Sequence, residues 1–155
     1  MKFEKINQRY FEAMMPARDM DFYTRRGVLR HIDECLELYD NDEMLPMLIQ
    51  NEEQQIIGRI NLHSLNLSSR SAHLGYRIAQ TETGRGIATE ATRALLSLCD
   101  DRYKLKTLIA ITATENLASQ RVLINNQFNK ARTHTNYTRL NGKLIHCIEY
   151  QKNKK

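Results

Sequence analysis

The chain has 155 residues, of which 41% are hydrophobic and 26% charged, with two prolines and six glycines. This length and composition predict a single globular domain over residues 1–155 and exclude a low-complexity or fibrous protein. No apolar run in the sequence approaches a membrane span, and the first residues lack the hydrophobic segment of a signal peptide. We therefore expect a cytoplasmic protein that does not enter a membrane.

The formal net charge of +5 favours anionic ligands in general. The basic residues are scattered, apart from a tail at 152–155 that we expect to be frayed, so nucleic acid is not the expected partner. Cys35, Cys99 and Cys147 lack the spacing of a metal or redox site, so no metal is expected. Three reduced thiols are consistent with a cytoplasmic protein.

The first quarter of the chain has helical patterns. Four apolar residues share a helical spacing, namely Ile6, Tyr10, Phe11 and Met14. Pro16 ends that pattern, and Asp19 or Asp21 is the expected cap of a second helix that reaches about residue 41. Gly27 is expected to kink that helix or to divide it.

Extended segments follow the two helices. Three strands are expected, at 44–50, 55–62 and 72–79, with a polar loop at 65–70. Pro46 predicts that the first strand lies at a sheet edge or contains a bulge, because proline cannot donate to the hydrogen-bond ladder. Gly75 predicts a bulge or a close backbone contact in the third strand.

The second half of the chain alternates between helix and strand. The expected elements are a helix at 86–101, a strand at 105–113, a helix at 116–126 and strands at 131–139 and 143–151. Asn141-Gly142 between the last two strands is a strong hairpin signal. The residues therefore predict one mixed α/β sheet with helices on its faces.

A glycine-rich turn precedes the helix at 86–101, with the sequence Thr83-Gly84-Arg85-Gly86-Ile87-Ala88. Glycine allows close backbone approach, and the N–H groups of a helix's first turn attract anions. A nucleotide P-loop would need Lys-Ser/Thr after the last glycine, and a dinucleotide fingerprint would need Gly or Ala where Thr89 stands. A coenzyme A pyrophosphate turn needs only successive free N–H groups, so it stays open beside a purely structural turn.

A second segment, at residues 116–128, indicates a function for this turn. The segment Thr-Gly-Arg-Gly-Ile-Ala-Thr-Glu-Ala at 83–91, followed by Asn-Leu-Ala-Ser at 116–119 and Gln127-Phe128, resembles the GNAT acetyltransferase superfamily. The resemblance is closest to its branch of ribosomal-protein N-terminal (alanine/serine) acetyltransferases, where Ala72-His73-Leu74-Gly75-Tyr76 is similar to the strand before the turn. It covers residues 44–151. It implies a mostly antiparallel mixed α/β sheet with splayed central strands, helices on both faces and a C-terminal hairpin.

The resemblance also implies a reaction. An acetyl group would move from acetyl-CoA to a primary amine, such as a protein N-terminal α-amine, by direct attack in a ternary complex and without a metal. Residues implied to bind the cofactor are Arg77, Ile78, Thr83, Gly84, Arg85, Gly86, Ile87, Ala88 and Asn116. Ser119 is the implied proton donor, because Leu123 stands where many members carry a tyrosine. Asn116 would hold the pantetheine arm or position the thioester.

Several alternatives stay open at the level of sequence. The general base is His73, His134, His146 or water. The acceptor is a protein N-terminus or a small amine, such as a polyamine, an aminoglycoside or an amino acid. Because Leu123 cannot donate a proton, a non-catalytic acyl-CoA-binding domain is the alternative function. We expect a monomer or a homodimer, and the family's usual first strand is not evident before the helices.

Overall fold

A computed structural model describes residues 1–154, apart from the side chains of residues 100 and 101. The helices are α1 (Lys2–Glu12), α2 (Arg25–Asp40), α3 (Ile87–Arg102) and α4 (Leu117–Asn125), with short 3-10 helices at Met20–Tyr23 and Gln80–Glu82. The strands are β1 (Leu45–Gln50), β2 (Ile56–Asn66), β3 (Ser71–Ile78), β4 (Thr107–Ala113), β5 (Asn129–Leu140) and β6 (Lys143–Asn153). None of the helices within residues 1–154 is long and apolar enough to cross a membrane.

The strands form one sheet in the order β1-β2-β3-β4-β6-β5. Only the central pair, β3 and β4, runs parallel, and every other neighbouring pair is antiparallel. Pro46 lies in edge strand β1, and Asn141-Gly142 closes the β5–β6 hairpin with Gly142 at φ +78°. Both predictions are confirmed, because each depends on a backbone restriction that the residue type itself imposes.

The two faces of the sheet carry different helices. Ile60 and Leu62 of β2 belong to the main core, together with Leu95 of α3 and Leu123 of α4. Arg59 points to the opposite face, because successive strand residues alternate, and it reaches α1 there. The mixed α/β fold with a mostly antiparallel sheet and helices on both faces is thereby confirmed.

Helix α1 buries only part of the face that its apolar spacing predicts. Phe11 is buried as predicted and Ile6 is 68% exposed, while the other buried residues of α1 are Phe3, Glu4 and Asn7. Two of the four buried residues are polar, so a search for apolar periodicity alone misses them. The polar pair has specific partners on the sheet, which are described below with the site.

Helix α2 begins later than the sequence predicts. Thr24 is its N-cap, because the Thr24 hydroxyl accepts from the Gly27 N–H at 3.0 Å, whereas Asp19 caps the preceding 3-10 helix and Asp21 lies within it. Gly27 lies in the first turn of α2 and does not divide the helix. It is glycine because an added Cβ would lie 2.0 Å from the Asp21 carbonyl oxygen.

Three further boundaries differ from the prediction. Strand β2 continues to Asn66 and buries Leu65, so the loop expected at 65–70 is shorter. The tail is not frayed as far as residue 154, because β6 runs to Asn153 and the Lys152 Nζ donates to the Asn126 carbonyl oxygen at 2.9 Å. Gly75 marks a close contact rather than a bulge, since its Cβ would lie 2.9 Å from the Asn61 Oδ1.

The Thr24 cap leads to a stability prediction. Thr24→Ala should lower the free energy of unfolding by about 1 kcal/mol, because the Gly27 N–H loses its acceptor. Thr24→Ser keeps the hydroxyl and should stay within about 0.5 kcal/mol of the wild type. Urea denaturation of the three proteins checks this. Equal losses in both variants would show that the methyl group, and not the cap, stabilises the helix.

Candidate active site

A cleft opens in the middle of the sheet, where β3 and β4 separate. The two strands pair only at Ser71, Ala72 and His73 of β3, opposite 107–109 of β4. Beyond that point β3 continues to Ile78 and β4 to Ala113 without pairing to each other. The backbone groups of residues 74–78 that face away from β2 therefore border the cleft, as do those of residues 110–113 that face away from β6.

The glycine turn lies at the mouth of this cleft, directly after β3. Gly84 and Gly86 have φ values of +76° and +79°, which favour glycine strongly. No atom lies within 4 Å of a Cβ built on either residue, so the space above the turn is open. The turn is thus a shallow, exposed cradle of backbone.

Helix α3 begins at this cradle with Gly86 as its N-cap and without any side chain capping it. Its first internal hydrogen bond runs from the Glu90 N–H to the Gly86 carbonyl oxygen. The N–H groups of Ile87, Ala88 and Thr89 precede that bond and point towards the open space. Together with the helix dipole they form a site suited to phosphate oxygens.

Two side chains of the turn are engaged locally. The Thr83 hydroxyl donates to the Gln80 carbonyl oxygen at 2.8 Å. The exposed Arg85 guanidinium forms an ion pair with Glu82. Thr83 therefore contributes backbone rather than a long polar side chain, and Arg85 must leave Glu82 to reach a ligand.

The residues assigned to transfer lie in the first turn of α4, on the other side of the cleft. Asn116 is the N-cap, and its Oδ1 accepts from the Ser119 N–H at 3.1 Å. The cap uses only the Oδ1 of Asn116, so the Nδ2 group of the same side chain can donate to a ligand. Leu123 is only 1% exposed and lies in the core, so it contributes packing and no chemistry.

The Ser119 side chain meets a tyrosine from the opposite strand. The Tyr76 and Ser119 hydroxyl oxygens lie 2.8 Å apart, and the Tyr76 hydroxyl is also 3.3 Å from the Ser119 carbonyl oxygen. Tyr76 belongs to the splayed half of β3 and Ser119 to the helix after β4, so the pair bridges the cleft. Burial raises the pKa of Tyr76 to about 12, and this phenol stays protonated at neutral pH.

A carboxylate–histidine pair, Glu149 and His134, lies on the face of the sheet opposite to Tyr76. Glu149, which pairs with Ile111 in the splayed part of β4, is buried and accepts from the His134 Nε2 at 2.8 Å. Gln151 and Arg132 also donate to this carboxylate, at 2.7 and 3.1 Å. Hydrogen bonding to His134, then to Gln151 and Arg132, lowers the pKa of Glu149 to about 2. A carboxylate on Nε2 leaves the imidazole Nδ1 as an acceptor.

The other two candidate histidines have different surroundings. His146 uses its Nδ1 to accept from the Asn136 N–H at 3.0 Å, so that nitrogen is occupied. His73 lies at the vertex of the cleft, where its ring centroid is 5.4 Å from that of His63. Burial and the proximity of His73 lower the pKa of His63.

Arg77 and Ile78 end the splayed half of β3. Ile78 is buried and pairs with Gly58 of β2, and Arg77 points to the face covered by α1. There the buried Glu4 lies 2.8 Å from the Arg59 Nε and 3.6 Å from an Arg77 nitrogen. Asn7 accepts from the Gln80 N–H at 2.8 Å, which fixes α1 against the start of the glycine turn.

Sequence reasoning missed Tyr76 and Glu149 as site residues. Tyr76 alternates with Leu74 and Ile78, so its position reads as an ordinary core position of a strand. Glu149 lies among the buried residues 147–150. A single carboxylate within an otherwise uncharged segment of a strand was the sequence feature that could have indicated a buried, functional acid.

Solved structures share this fold. The ribosomal-protein-S5-alanine acetyltransferase of Vibrio fischeri superimposes with a TM-score of 0.93 at 21% identity, over 98% of this chain and 84% of that one. Mycobacterium smegmatis RimJ, solved with CoA-disulfide, gives a TM-score of 0.90 at 22% identity, over 98% and 74% of the two chains. At these identities the likeness establishes the fold.

Sequence comparison establishes the family. The probable N-acetyltransferase YjcK of Bacillus subtilis is 28% identical over 138 residues, which cover 88% of this chain and 76% of YjcK. The family model described as an acetyltransferase (GNAT) domain matches residues 4–129. The chain therefore belongs to the GNAT acetyltransferases and is an N-acetyltransferase.

Proposed function

We propose that this enzyme transfers the acetyl group of acetyl-CoA directly to a primary amine, with a protein N-terminal α-amine as the first candidate acceptor. The observation that carries the proposal is the cleft between β3 and β4, which opens beside a helix N-terminus with bare N–H groups. We propose further that residues 1–155 act as one catalytic domain, in the cytoplasm, with acetyl-CoA as co-substrate and no metal.

The shape of the cleft fits coenzyme A in two ways. The cradle at Gly84 and Gly86 suits the pyrophosphate, because its N–H groups lack partners and no side chain blocks it. The unpaired edges of β3 and β4 suit the amide groups of pantetheine, which would pair with them like an added strand. The backbone near Arg77 and Ile78 would supply those bonds.

The α4 side of the cleft supplies the donor for the leaving group. The reaction joins the amine nitrogen to the acetyl carbon and breaks the carbon–sulfur bond, and the proton lost by the amine balances the one the thiol gains. Ser119 donates a hydrogen bond to the sulfur as negative charge develops there. Either hydroxyl can donate in the 2.8 Å contact between Tyr76 and Ser119, and we assign the donor role to Tyr76, which leaves the serine hydrogen for the sulfur.

The opposite face supplies the base. We assign this role to His134 rather than to His73 or His146, because only His134 has a buried carboxylate on one nitrogen. Glu149 holds the Nε2–H, so the Nδ1 accepts the proton from the attacking amine. Glu149 and Tyr76 lie on opposite faces of the sheet, so base and donor approach the thioester from different sides.

His134→Gln tests this assignment. It should lower kcat about tenfold at neutral pH, because the amide cannot take up the proton of the attacking amine. The matched control is His73→Gln, which should keep the wild-type kcat. An unchanged kcat in His134→Gln, measured with saturating acetyl-CoA, would assign proton removal to water or to His73.

The choice of an N-terminal α-amine as acceptor is supported by the pKa of that amine and by a structural neighbour. A protein α-amine has a pKa of about 7.7–8.0, so a usable fraction is neutral at physiological pH. The Vibrio fischeri neighbour is an acetyltransferase for the alanine of ribosomal protein S5. Both points support an N-terminal α-amine ahead of a lysine side chain, which is almost fully protonated at that pH.

A thiol-release assay tests the proposed function. Purified protein is given acetyl-CoA and, separately, peptides with N-terminal alanine or serine, a polyamine, an aminoglycoside and amino acids. We expect CoA release that depends on a peptide with a free α-amine and stops when that amine is blocked. Tight acetyl-CoA binding without acceptor-dependent release across the whole panel would instead support a non-catalytic acyl-CoA sensor.

A further inference from the structure

An excess of positive charge lies beneath the segment that joins α1 to α2. Arg59 of β2 and Arg77 of β3 are cross-strand partners, and both reach the buried Glu4 of α1. Arg18 of the joining segment repels both of these arginines, and its guanidinium lies 4.1 Å from the centre of the Phe22 ring. Three guanidinium groups thus lie near one another, and the Glu4 carboxylate pairs with two of them.

The nearby acidic residues do not neutralise this cluster of Arg18, Arg59 and Arg77. Asp21 pairs with Arg30 at 2.6 Å, Glu12 accepts from Tyr23, and Glu34 is exposed. His31 accepts from Arg59 at 3.1 Å, and burial, followed by Arg18 and Arg59, lowers its pKa, so it remains neutral. After Glu4 is counted, the cluster keeps an excess of two positive charges.

The donors of the cluster are also incompletely used. The buried Nε of Arg18 meets no acceptor within residues 1–154, and the buried Nε of Arg59 lies 2.8 Å from the Glu4 carboxylate as an ion pair without hydrogen-bond geometry. Arg77 and Glu4 are 3.6 Å apart, which is long for a charge-assisted bond. Burial, followed by repulsion from Arg18 and Arg59, lowers the pKa of Arg77 to about 10.

The cluster is reachable from solvent and adjoins the cleft. A quarter of the Arg59 side chain and 16% of the Arg77 side chain are exposed. An open groove of about 320 Å³ runs along Arg18, and Phe22, His31, Asp19 and Glu34 are among its other lining residues. Arg77 belongs to the splayed half of β3, and it lies on the same face as Glu149, the side from which we bring the acceptor.

We propose that Arg18, Arg59 and Arg77 form an anion-binding subsite for the acceptor, which takes a carboxylate or phosphate group carried by the same molecule as the amine. Guanidinium groups bind both anions through paired N–H donors. The inference rests on the proposed function and narrows its substrate class. A polyamine or an aminoglycoside carries only positive charge and is disfavoured, whereas an N-terminal peptide with an acidic side chain is favoured.

Two peptides of equal length test the subsite, with N-terminal Ala-Glu and Ala-Gln and otherwise identical sequences. The wild type should prefer the acidic peptide about tenfold in kcat/KM. Arg18→Met, which keeps the aliphatic stem over Phe22, should reduce the preference to about twofold or less. The charge-matched control is Lys130→Gln on exposed β5, which should keep the full preference. A wild type without preference, or Arg18→Met with the full preference, would overturn the inference.

A binding measurement separates this outcome from failure of the proposed function. Inorganic phosphate at constant ionic strength should raise the melting temperature of the wild type, of Lys130→Gln and of Gly86→Asp, whose glycine turn is altered. It should not raise that of the double variant Gly86→Asp/Arg18→Met, in which both the glycine turn and the subsite are altered. This readout needs no turnover, so it decides the matter even where no peptide is acetylated. Equal stabilisation of Gly86→Asp and of the double variant by phosphate, or of neither, would contradict the subsite.

Discussion

Gly86→Asp is expected to weaken acetyl-CoA binding about 100-fold, because a carboxylate at the N-cap of α3 would occupy the position that we propose for the pyrophosphate. Two like charges about 4–5 Å apart repel by roughly 3–4 kcal/mol near a protein surface, which is enough for that loss. The substitution should leave the fold intact. Aspartate tolerates positive φ better than most residues, and no atom lies within 4 Å of the new Cβ. Isothermal titration with acetyl-CoA measures the effect.

Gly86→Asn is the matched control for Gly86→Asp, because it has nearly the same shape without the charge. It should weaken acetyl-CoA binding by about tenfold or less, and thermal melting should show both variants folded. If Gly86→Asp bound acetyl-CoA within threefold of the wild type, the turn would be structural and the phosphates would lie elsewhere.

Tyr76→Phe is expected to lower kcat about 10- to 50-fold while the KM for acetyl-CoA stays within about threefold. The change removes one hydroxyl, so Ser119 loses the partner that directs its hydrogen towards the sulfur. The phenyl ring keeps its place in the core, where Tyr76 packs against the buried residues. Steady-state kinetics with saturating acceptor measures the effect.

A double-mutant cycle distinguishes a positioning role from a packing role. Ser119→Ala should lower kcat about 100-fold or more, and Tyr76→Phe added to it should cost little further, because both changes break the same interaction. Multiplicative losses in the double variant would mean that Tyr76 acts independently of Ser119, and the assigned relay would be wrong.

The elements that sequence predicted best are those set by local backbone chemistry. Gly86 at the start of α3, Asn141-Gly142 in the hairpin and Pro46 at the sheet edge each restrict the chain through their own covalent structure. A single residue type is enough to reveal such a restriction. The glycine turn was found for this reason, and the second block at 116–128 identified its family.

The buried face of α1 and the N-cap of α2 were harder to predict from the sequence, because both depend on residues outside the helix. Glu4 is buried only because Arg59 and Arg77 meet it, and Asn7 only because the Gln80 N–H donates to it. Apolar periodicity counts none of these contacts. The α2 cap depends on the fit of Gly27 against Asp21, which no helical pattern contains.

The two proposed catalytic pairs, Tyr76–Ser119 and His134–Glu149, could not be predicted from the sequence for a related reason. Tyr76 and Ser119 are 43 residues apart and meet only because β3 and β4 are parallel neighbours that then diverge. His134 reaches Glu149 diagonally across two strands, because Arg132 pairs with Glu149 and His134 pairs with Cys147. Strand order and register are properties of the whole sheet, so the individual residues did not show these pairs.

Amide hydrogen exchange with and without acetyl-CoA is the most direct test of the central claim, that the cleft between β3 and β4 holds the donor. The unpaired N–H groups of residues 74–78 and 110–113, and those of 84–89, should exchange fast in the free protein and slow down at least tenfold when acetyl-CoA is present. Protection confined to other parts of the chain, or none at saturating acetyl-CoA, would contradict the account.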